Sequence, residues 1–364
     1  MKQKNLNSNR IACLFANKAL VRAPAVLLTT QPNIFYFTNF TGHDSWAILT
    51  PEKTIILTDG RYTLQAKQES PLARVFVRKG PMVPFFNEAL AKTAIKKVAF
   101  LGDEISLGLM DKLTNTCKKT KWLKMSSRSI LDLRVIKSPD EIVRICRAIA
   151  IAQEAYTGLL SDLKPGMTEN EAAAELEYRL RMWGAEKASF ETIIACGPNA
   201  AKPHARTSNS KLVAGKPIVI DFGALANGYC SDLTRTICLG KMPPALKDIY
   251  KICLEAQLAG IEAIKPGVRA DTVDAAARKV ITLAGYGKFF NHGLGHGLGL
   301  EVHEGPTLNR ISRDTLQPGM IVTVEPGIYI PGKGGVRIED DVLVTETGFK
   351  VLSSLPKEPD CILL

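Results

Sequence analysis

Residues 217–232 read Pro-Ile-Val-Ile-Asp-Phe-Gly-Ala-Leu-Ala-Asn-Gly-Tyr-Cys-Ser-Asp: an apolar run closed by an acid, a turn pair, then a second acid. Asn-Gly is the strongest short hairpin signal, because both central positions of a type I′ turn need positive φ. With Asn227-Gly228 at the turn, Ala226 faces Tyr229, Asp221 faces Thr234 and Asp232 faces Gly223. Both carboxylates then fall on one face as diagonal neighbours, and Gly223 is expected to leave a side-chain-sized space between them. Ile218, Val219, Ile220 and Phe222 mark the strand as buried on both faces. Two buried like charges destabilise a hairpin unless a cation lies between them.

The pattern recurs further along the chain. Leu163-Lys164-Pro165-Gly166-Met167 returns as Ile264-Lys265-Pro266-Gly267-Val268, 101 residues later. Helices are expected on either side of each copy, at 141–162 and 169–183 and again at 246–263 and 271–284. Ser138, Pro139 and Glu141 form a capping box that starts the first, and Thr168 with Glu171 caps the second. Each copy then reaches a buried strand, one ending in Asp221 and the other in Glu325, with Asp232 and Glu339 following by 11 and 14 residues. His204 and His303 also correspond. A duplication about a pseudo-twofold axis would bring the two acidic sets face to face.

Between the copies' acids lies Asn291-His292-Gly293-Leu294-Gly295-His296-Gly297-Leu298-Gly299-Leu300-Glu301-Val302-His303-Glu304, which holds three of the five histidines. Alternating glycines allow another backbone or a substrate to come close. No Lys-Ser or Lys-Thr follows, so this is not a phosphate cradle. Asp221, Asp232, His296, Glu325 and Glu339 together make four carboxylates and one imidazole, the oxygen-rich set that two hard divalent cations need. By alternation Arg337 shares a face with Glu339, where it could orient the carboxylates. Asp340 and Asp341 are expected to begin a more exposed stretch.

The first half is of a different character. Its first 137 residues hold 22 Lys+Arg against 9 Asp+Glu, whereas the remainder holds 25 against 27. The basic residues are dispersed and carry no aromatic-interleaved motif, so a solvated surface, not a nucleic-acid interface, is expected. Strands are read at 25–29, 45–49, 54–57 and 98–101, and helices at 83–96 and 106–118. Chain length and this charge shift place an α/β domain at 1–135 and a second at 136–364. Eight scattered cysteines without a C-x-x-C pair read as reduced thiols, in keeping with a cytoplasmic protein. No apolar run approaches a membrane span.

Segments 219–223, 231–235, 292–304, 324–329 and 336–340 together resemble the pita-bread metallopeptidases, the family of methionine aminopeptidase, aminopeptidase P, prolidase and creatinase. The resemblance covers the second half. A weaker one, through Asn39-Phe40-Thr41-Gly42 and Leu57-Thr58-Asp59-Gly60-Arg61-Tyr62, makes the first half similar to the creatinase-type N-terminal domain of aminopeptidase P. It implies an α+β catalytic domain with a curved antiparallel sheet covered by helices. It implies two divalent ions per chain, manganese foremost and cobalt or zinc as alternatives. Asp221 would chelate one ion, Asp232 and Glu339 would bridge both, and His296 and Glu325 would hold the other. Glu325 would be general base on a metal-bridging water, His303 would stabilise the oxyanion, and His204 would join them as a catalytic group. His204, His292, His303, Tyr329 and Arg337 would border the substrate, a peptide with proline at its second position. The Asp59–Tyr62 segment leans the expectation toward an Xaa-Pro aminopeptidase, with Xaa-Pro dipeptidase (prolidase) and a non-catalytic binding relative as alternatives. A homodimer is implied, with neither nucleic acid nor membrane as partner.

Overall fold

A computed structural model describes residues 2–16 and 24–357, and the side chains from residue 7 onward within them. Its contacts divide the chain into two units, residues 1–134 and 135–364. In the first, α1 (Lys2–Ala16), α2 (Gln31–Thr38), α3 (Thr63–Glu69), α4 (Met82–Thr93), α5 (Leu107–Thr116) and α6 (Arg128–Val135) accompany one sheet. Its strands are β1 (Val26–Leu28), β2 (Trp46–Leu49), β3 (Thr54–Asp59), β4 (Arg74–Arg78), β5 (Lys97–Leu101) and β6 (Lys121–Met125), in the order β4-β3-β2-β1-β5-β6. The β1/β2 and β2/β3 pairs are antiparallel and the others parallel. The strands read from apolar runs are β1, β2, β3 and β5, whose Leu27, Ile48, Leu57 and Val98 pack with Phe86 and Leu90 of α4. The two strands not foreseen, β4 and β6, are the sheet edges. Arg74 and Arg78 bracket Val75-Phe76-Val77, and Lys121 and Lys124 bracket Trp122-Leu123, so the apolar runs are too short to stand out, and charge on an edge strand is a common guard against pairing.

In the second unit every strand pairing is antiparallel. It begins with α7 (Pro139–Leu160) and α8 (Glu169–Met182), each opened by the expected capping box. There follow β7 (Lys187–Ala188), β8 (Ile193–Cys196), β9 (Pro217–Phe222), β10 (Ala224–Ala226), β11 (Tyr229–Cys230) and β12 (Leu233–Cys238). Then α9 (Pro244–Glu262) and α10 (Ala270–Leu283) repeat the helix pair. The second strand set is β13 (Gly295–Gly297), β14 (Glu304–Leu308), β15 (Ile321–Val324), β16 (Gly327–Ile330), β17 (Gly334–Arg337), β18 (Asp340–Val344) and β19 (Phe349–Val351).

The duplication is visible in matching hydrogen bonds. Gly166 and Gly267 sit at φ 92° and 83° in their Lys-Pro-Gly turns. Gly166 N–H donates to Leu212 O at 2.9 Å and Gly267 N–H to Leu316 O at 2.8 Å. Next to them, the bridges Thr168↔Lys211 and Arg269↔Thr315 are equivalent.

The hairpin keeps the expected register: Ala226↔Tyr229 at the turn, Thr234↔Asp221 beyond it, and Asn227 and Gly228 both at positive φ. Two expectations need correcting. No space is left at Gly223, because a Cβ there would lie 2.0 Å from Ser231 O and 2.2 Å from Ser189 Oγ; the glycine allows close packing instead. Asp340 and Asp341 are not exposed but buried, at 1% and 0%. A charged pair in sequence looks solvated until the partners from distant segments are seen. The alternating glycines of 293–299 do admit backbone, since Cβ atoms would lie 2.0 Å from Thr323 O at Gly295 and 1.9 Å from Gly305 O at Gly297.

Candidate metal centre and active site

Five segments meet at one cavity of about 320 Å³. Asp221 comes from the end of β9 and Asp232 from just before β12. Glu325 follows β15, Glu339 lies between β17 and β18, and His296 is the middle residue of β13. One donor atom each from Asp232, His296 and Glu339 lies within 4.8 Å of the others. His296 Nε2 stands 3.3 Å from Glu325 Oε1 and 3.6 Å from Asp232 Oδ2. Asp221 flanks this group: its Oδ2 accepts from Arg337 Nη2, while its Oδ1 is buried with no partner.

A threonine hydroxyl supports each of the two glutamates. Thr234 Oγ1 donates to Glu339 Oε2 at 2.7 Å, and Thr323 Oγ1 to Glu325 Oε1 at 3.3 Å. Asp341 Oδ2 accepts the backbone N–H of Asp232 at 3.2 Å. The His296 Nδ1 lies 3.1 Å from Gly297 O. A carbonyl can only accept, so Nδ1 carries the hydrogen and Nε2 is turned toward the acids, the orientation that a metal-binding imidazole requires. These threonines and Asp341 were not foreseen. The only signal for the threonines is their position two residues from Asp232 and Glu325 on alternating strands.

The charges are unbalanced. Burial, and repulsion from Glu339 and the other acids, holds Asp232 well above the usual carboxylate range. Glu339 is raised well above it by burial and by Glu325 and Asp221. Asp221 is also raised by burial, against the pull of Arg337. Burial acts upward on Glu325 too, but the hydrogen bond and charge of His296 outweigh it and hold the carboxyl low. His296 is correspondingly raised, because Glu325 overcomes the effect of burial. Converging oxygen donors, one oriented imidazole, an orphaned Oδ1 and acids short of positive charge fit divalent metal ions.

The remaining histidines line the same cavity. His303 is exposed, its ring 4.4 Å from that of His296, and burial and the His296 charge lower its pKa. His204 is exposed on the loop after the 3₁₀ turn Gly197–Ala201. His292 Nδ1 lies 2.8 Å from Gly293 O and its Nε2 3.0 Å from Tyr329 Oη. Arg337 Nη1 donates to that same Oη at 2.8 Å, so the tyrosine hydroxyl donates onward to a neutral His292. Burial lowers the His292 pKa, in agreement. Tyr329 therefore stands behind His292 rather than on the cavity wall, and the Arg337 guanidinium is engaged by Thr234, Pro203 O, Tyr329 and Asp221. Cys230 does not line the cavity; its Sγ faces Leu300 O at 3.8 Å, and burial pushes the thiol up to about 12. A buried ion pair, Lys137 Nζ to Glu304 Oε2 at 3.0 Å, fixes the residue after His303; nothing in the local sequence signals it.

Residues 144–346 match the model of metallopeptidase family M24, and residues 20–136 that of the creatinase/prolidase N-terminal domain. An Xaa-Pro dipeptidase of Pyrococcus horikoshii is 40% identical over 338 residues, 92% of this chain and 93% of that one. The structure of an Xaa-Pro dipeptidase from Bacillus anthracis superposes with a TM-score of 0.93 at 38% identity, covering 98% of this chain and 100% of that one. An X-Pro aminopeptidase from Thermotoga maritima gives 0.87 at 36% identity, covering 94% and 99%. The chain belongs to metallopeptidase family M24, and is a hydrolase of its two-domain, pita-bread type. Among the described residues no helix is long and apolar enough to cross a membrane.

Proposed function

We propose that this metallopeptidase hydrolyses Xaa-Pro dipeptides at the bond before proline, with residues 1–135 as its creatinase-like domain and 136–364 as its catalytic domain. The observation that carries the reading is the convergence of Asp221, Asp232, His296, Glu325 and Glu339 on one cavity, where Arg337 pairs with Asp221 but, among the described residues, no lysine or arginine pairs with the other three acids. These five residues would hold two divalent ions, manganese foremost, which when bound would activate water and polarise the scissile carbonyl. The Glu325 carboxylate, at the cavity wall, takes a proton from the attacking water as the new carbon–oxygen bond forms. It then delivers that proton to the prolyl nitrogen as the carbon–nitrogen bond breaks. His303 and His204 line the cavity where they can donate to the carbonyl oxygen as charge develops on it. His292, held neutral by Tyr329 and Gly293, offers an apolar-leaning face for the proline ring. Manganese and a cytoplasmic homodimer are the further parts of this proposal, open to elemental analysis and sedimentation.

The dipeptidase reading replaces the sequence-based lean toward an aminopeptidase for two reasons. The Asp59–Tyr62 segment supports a local role: Asp59 caps its own turn by accepting from Arg61 N, and Arg61 pairs with Asp59 and Asp44 at the surface. Similarity to dipeptidases is also the stronger. The Thermotoga structure favours Xaa-Pro aminopeptidase as the second reading. Turnover of an Xaa-Pro dipeptide and an Xaa-Pro-Xaa tripeptide by manganese-loaded protein tests both. Cleavage of the dipeptide alone is expected; preference for the tripeptide would select the second reading, and cleavage of neither would overturn both.

A further inference from the structure

We propose that Arg206 is the residue of this cavity that binds a substrate carboxylate, and so selects dipeptides whose proline carries a free C-terminus. The inference deepens the dipeptidase reading and rests on it.

Two arginines line the cavity. Arg337 is buried and its guanidinium is consumed by Asp221, Tyr329, Thr234 and the Pro203 carbonyl. Arg206 is exposed, and among the described residues its guanidinium makes no hydrogen bond and no ion pair. No lysine lines the cavity, so Arg206 is its one unengaged permanent cation among the described lining residues. Acids otherwise dominate the walls: the five ligand-set residues include four, and Glu191 adds another.

The backbone that presents Arg206 is held firmly on both sides. Arg337 Nη1 donates to Pro203 O at 3.1 Å, and Asn199 Nδ2 to Arg206 O itself at 3.4 Å. Thr207 Oγ1 donates to Thr192 O at 2.8 Å, and Ser208 N–H and Oγ donate to the buried Glu169 at 3.1 and 2.7 Å. The loop backbone that carries this cation is already in place, and a guanidinium is matched to a carboxylate in shape as well as charge. In an Xaa-Pro dipeptide the carboxylate lies on the proline, one residue past the scissile bond. A tripeptide has a neutral amide there. The cation therefore distinguishes the two at the point where they differ.

The test compares an Xaa-Pro dipeptide with its C-terminal amide, using manganese-loaded full-length protein and the substitutions R206A and R206K. Wild type is expected to favour the free acid. In R206A the ratio of kcat/KM for acid over amide should fall about ten- to hundredfold, mainly through KM, as loss of a charged hydrogen-bond partner predicts. R206K should keep part of the ratio. R310A, which removes an exposed arginine elsewhere, should leave it intact. An unchanged ratio in R206A overturns the inference. Competitive binding of free proline against prolinamide gives a readout independent of turnover: only proline should weaken in R206A, and equal binding to both proteins overturns the inference. Wild type that hydrolyses neither substrate overturns the dipeptidase reading, and the proline comparison still decides the role of Arg206.

Discussion

Glu339 and Asp340 are neighbours in sequence and both buried, yet they sit in opposite electrostatic surroundings. Glu339 faces Asp221, Asp232 and Glu325, with a threonine hydroxyl as its nearest support, and its pKa is driven well up by burial and those acids. Asp340 is enclosed by Arg235 Nη2 at 2.7 Å, Lys357 Nζ at 2.6 Å, Gln257 Nε2 at 2.8 Å and Ser353 Oγ at 2.7 Å. Burial acts upward on it too, but Arg235 and Lys357 prevail and hold it low. Two built-in cations balance Asp340, whereas the four acids around the cavity share only Arg337, held by Asp221, and are left short of positive charge.

Removing each acid should break the comparison in opposite ways. Glu339→Ala should abolish metal retention and lower kcat/KM by about a thousandfold or more, while the unfolding midpoint of the metal-free protein stays level or rises as repulsion is relieved. Asp340→Ala should instead strand a buried Arg235 and cost about 3–5 kcal/mol by denaturant titration. A metal-free Glu339→Ala protein as unstable as Asp340→Ala would remove the distinction.

The same contrast has a pH signature. Asp232 and Glu339 have raised folded pKa values in the metal-free chain, so the stability they contribute is present below the unfolded value, about 4, and lost as pH rises through the folded values. Asp340 has the reverse sign: its contribution is present above that unfolded value and lost as pH falls through its lowered one. Thermal midpoints of the chelated protein should therefore fall from mildly acidic toward neutral pH, and metal loading should flatten that fall. Equal pH slopes with and without metal would contradict this.

Smaller effects should sharpen the picture. Lys137→Met leaves Glu304 buried without its cation, at a cost of about 3 kcal/mol, and should lower kcat through the adjacent His303 more than it alters metal content. Thr234→Val removes the hydroxyl that orients Glu339 and should weaken metal binding about tenfold with little change in folding, as metal titration by calorimetry would report.

Much of this arrangement was legible along the chain. The Asn227-Gly228 turn set the register of Asp221 and Asp232, and the repeated Lys-Pro-Gly turns announced the duplication, because both signals are local. The capping boxes of α7 and α8 were equally local. Edge strands β4 and β6 were not legible, since apolar runs of only three and two residues between basic ones resemble a loop until a neighbouring strand is in place. Nor was the burial of Asp340 and Asp341, whose partners come from as far away as Asp232 and Arg235.

By itself the sequence determined which side chains could serve as ligands, their spacing, and the hairpin face shared by the first two, because these follow from residue type and backbone period. The tertiary structure decided which acids receive fixed cations and which do not. It also decided that Tyr329 stands behind His292 and that Arg206 alone among the described cavity arginines is left unengaged. Those outcomes depend on distances between segments far apart in the chain, and charge balance in a buried site is set by such distances rather than by order along the backbone.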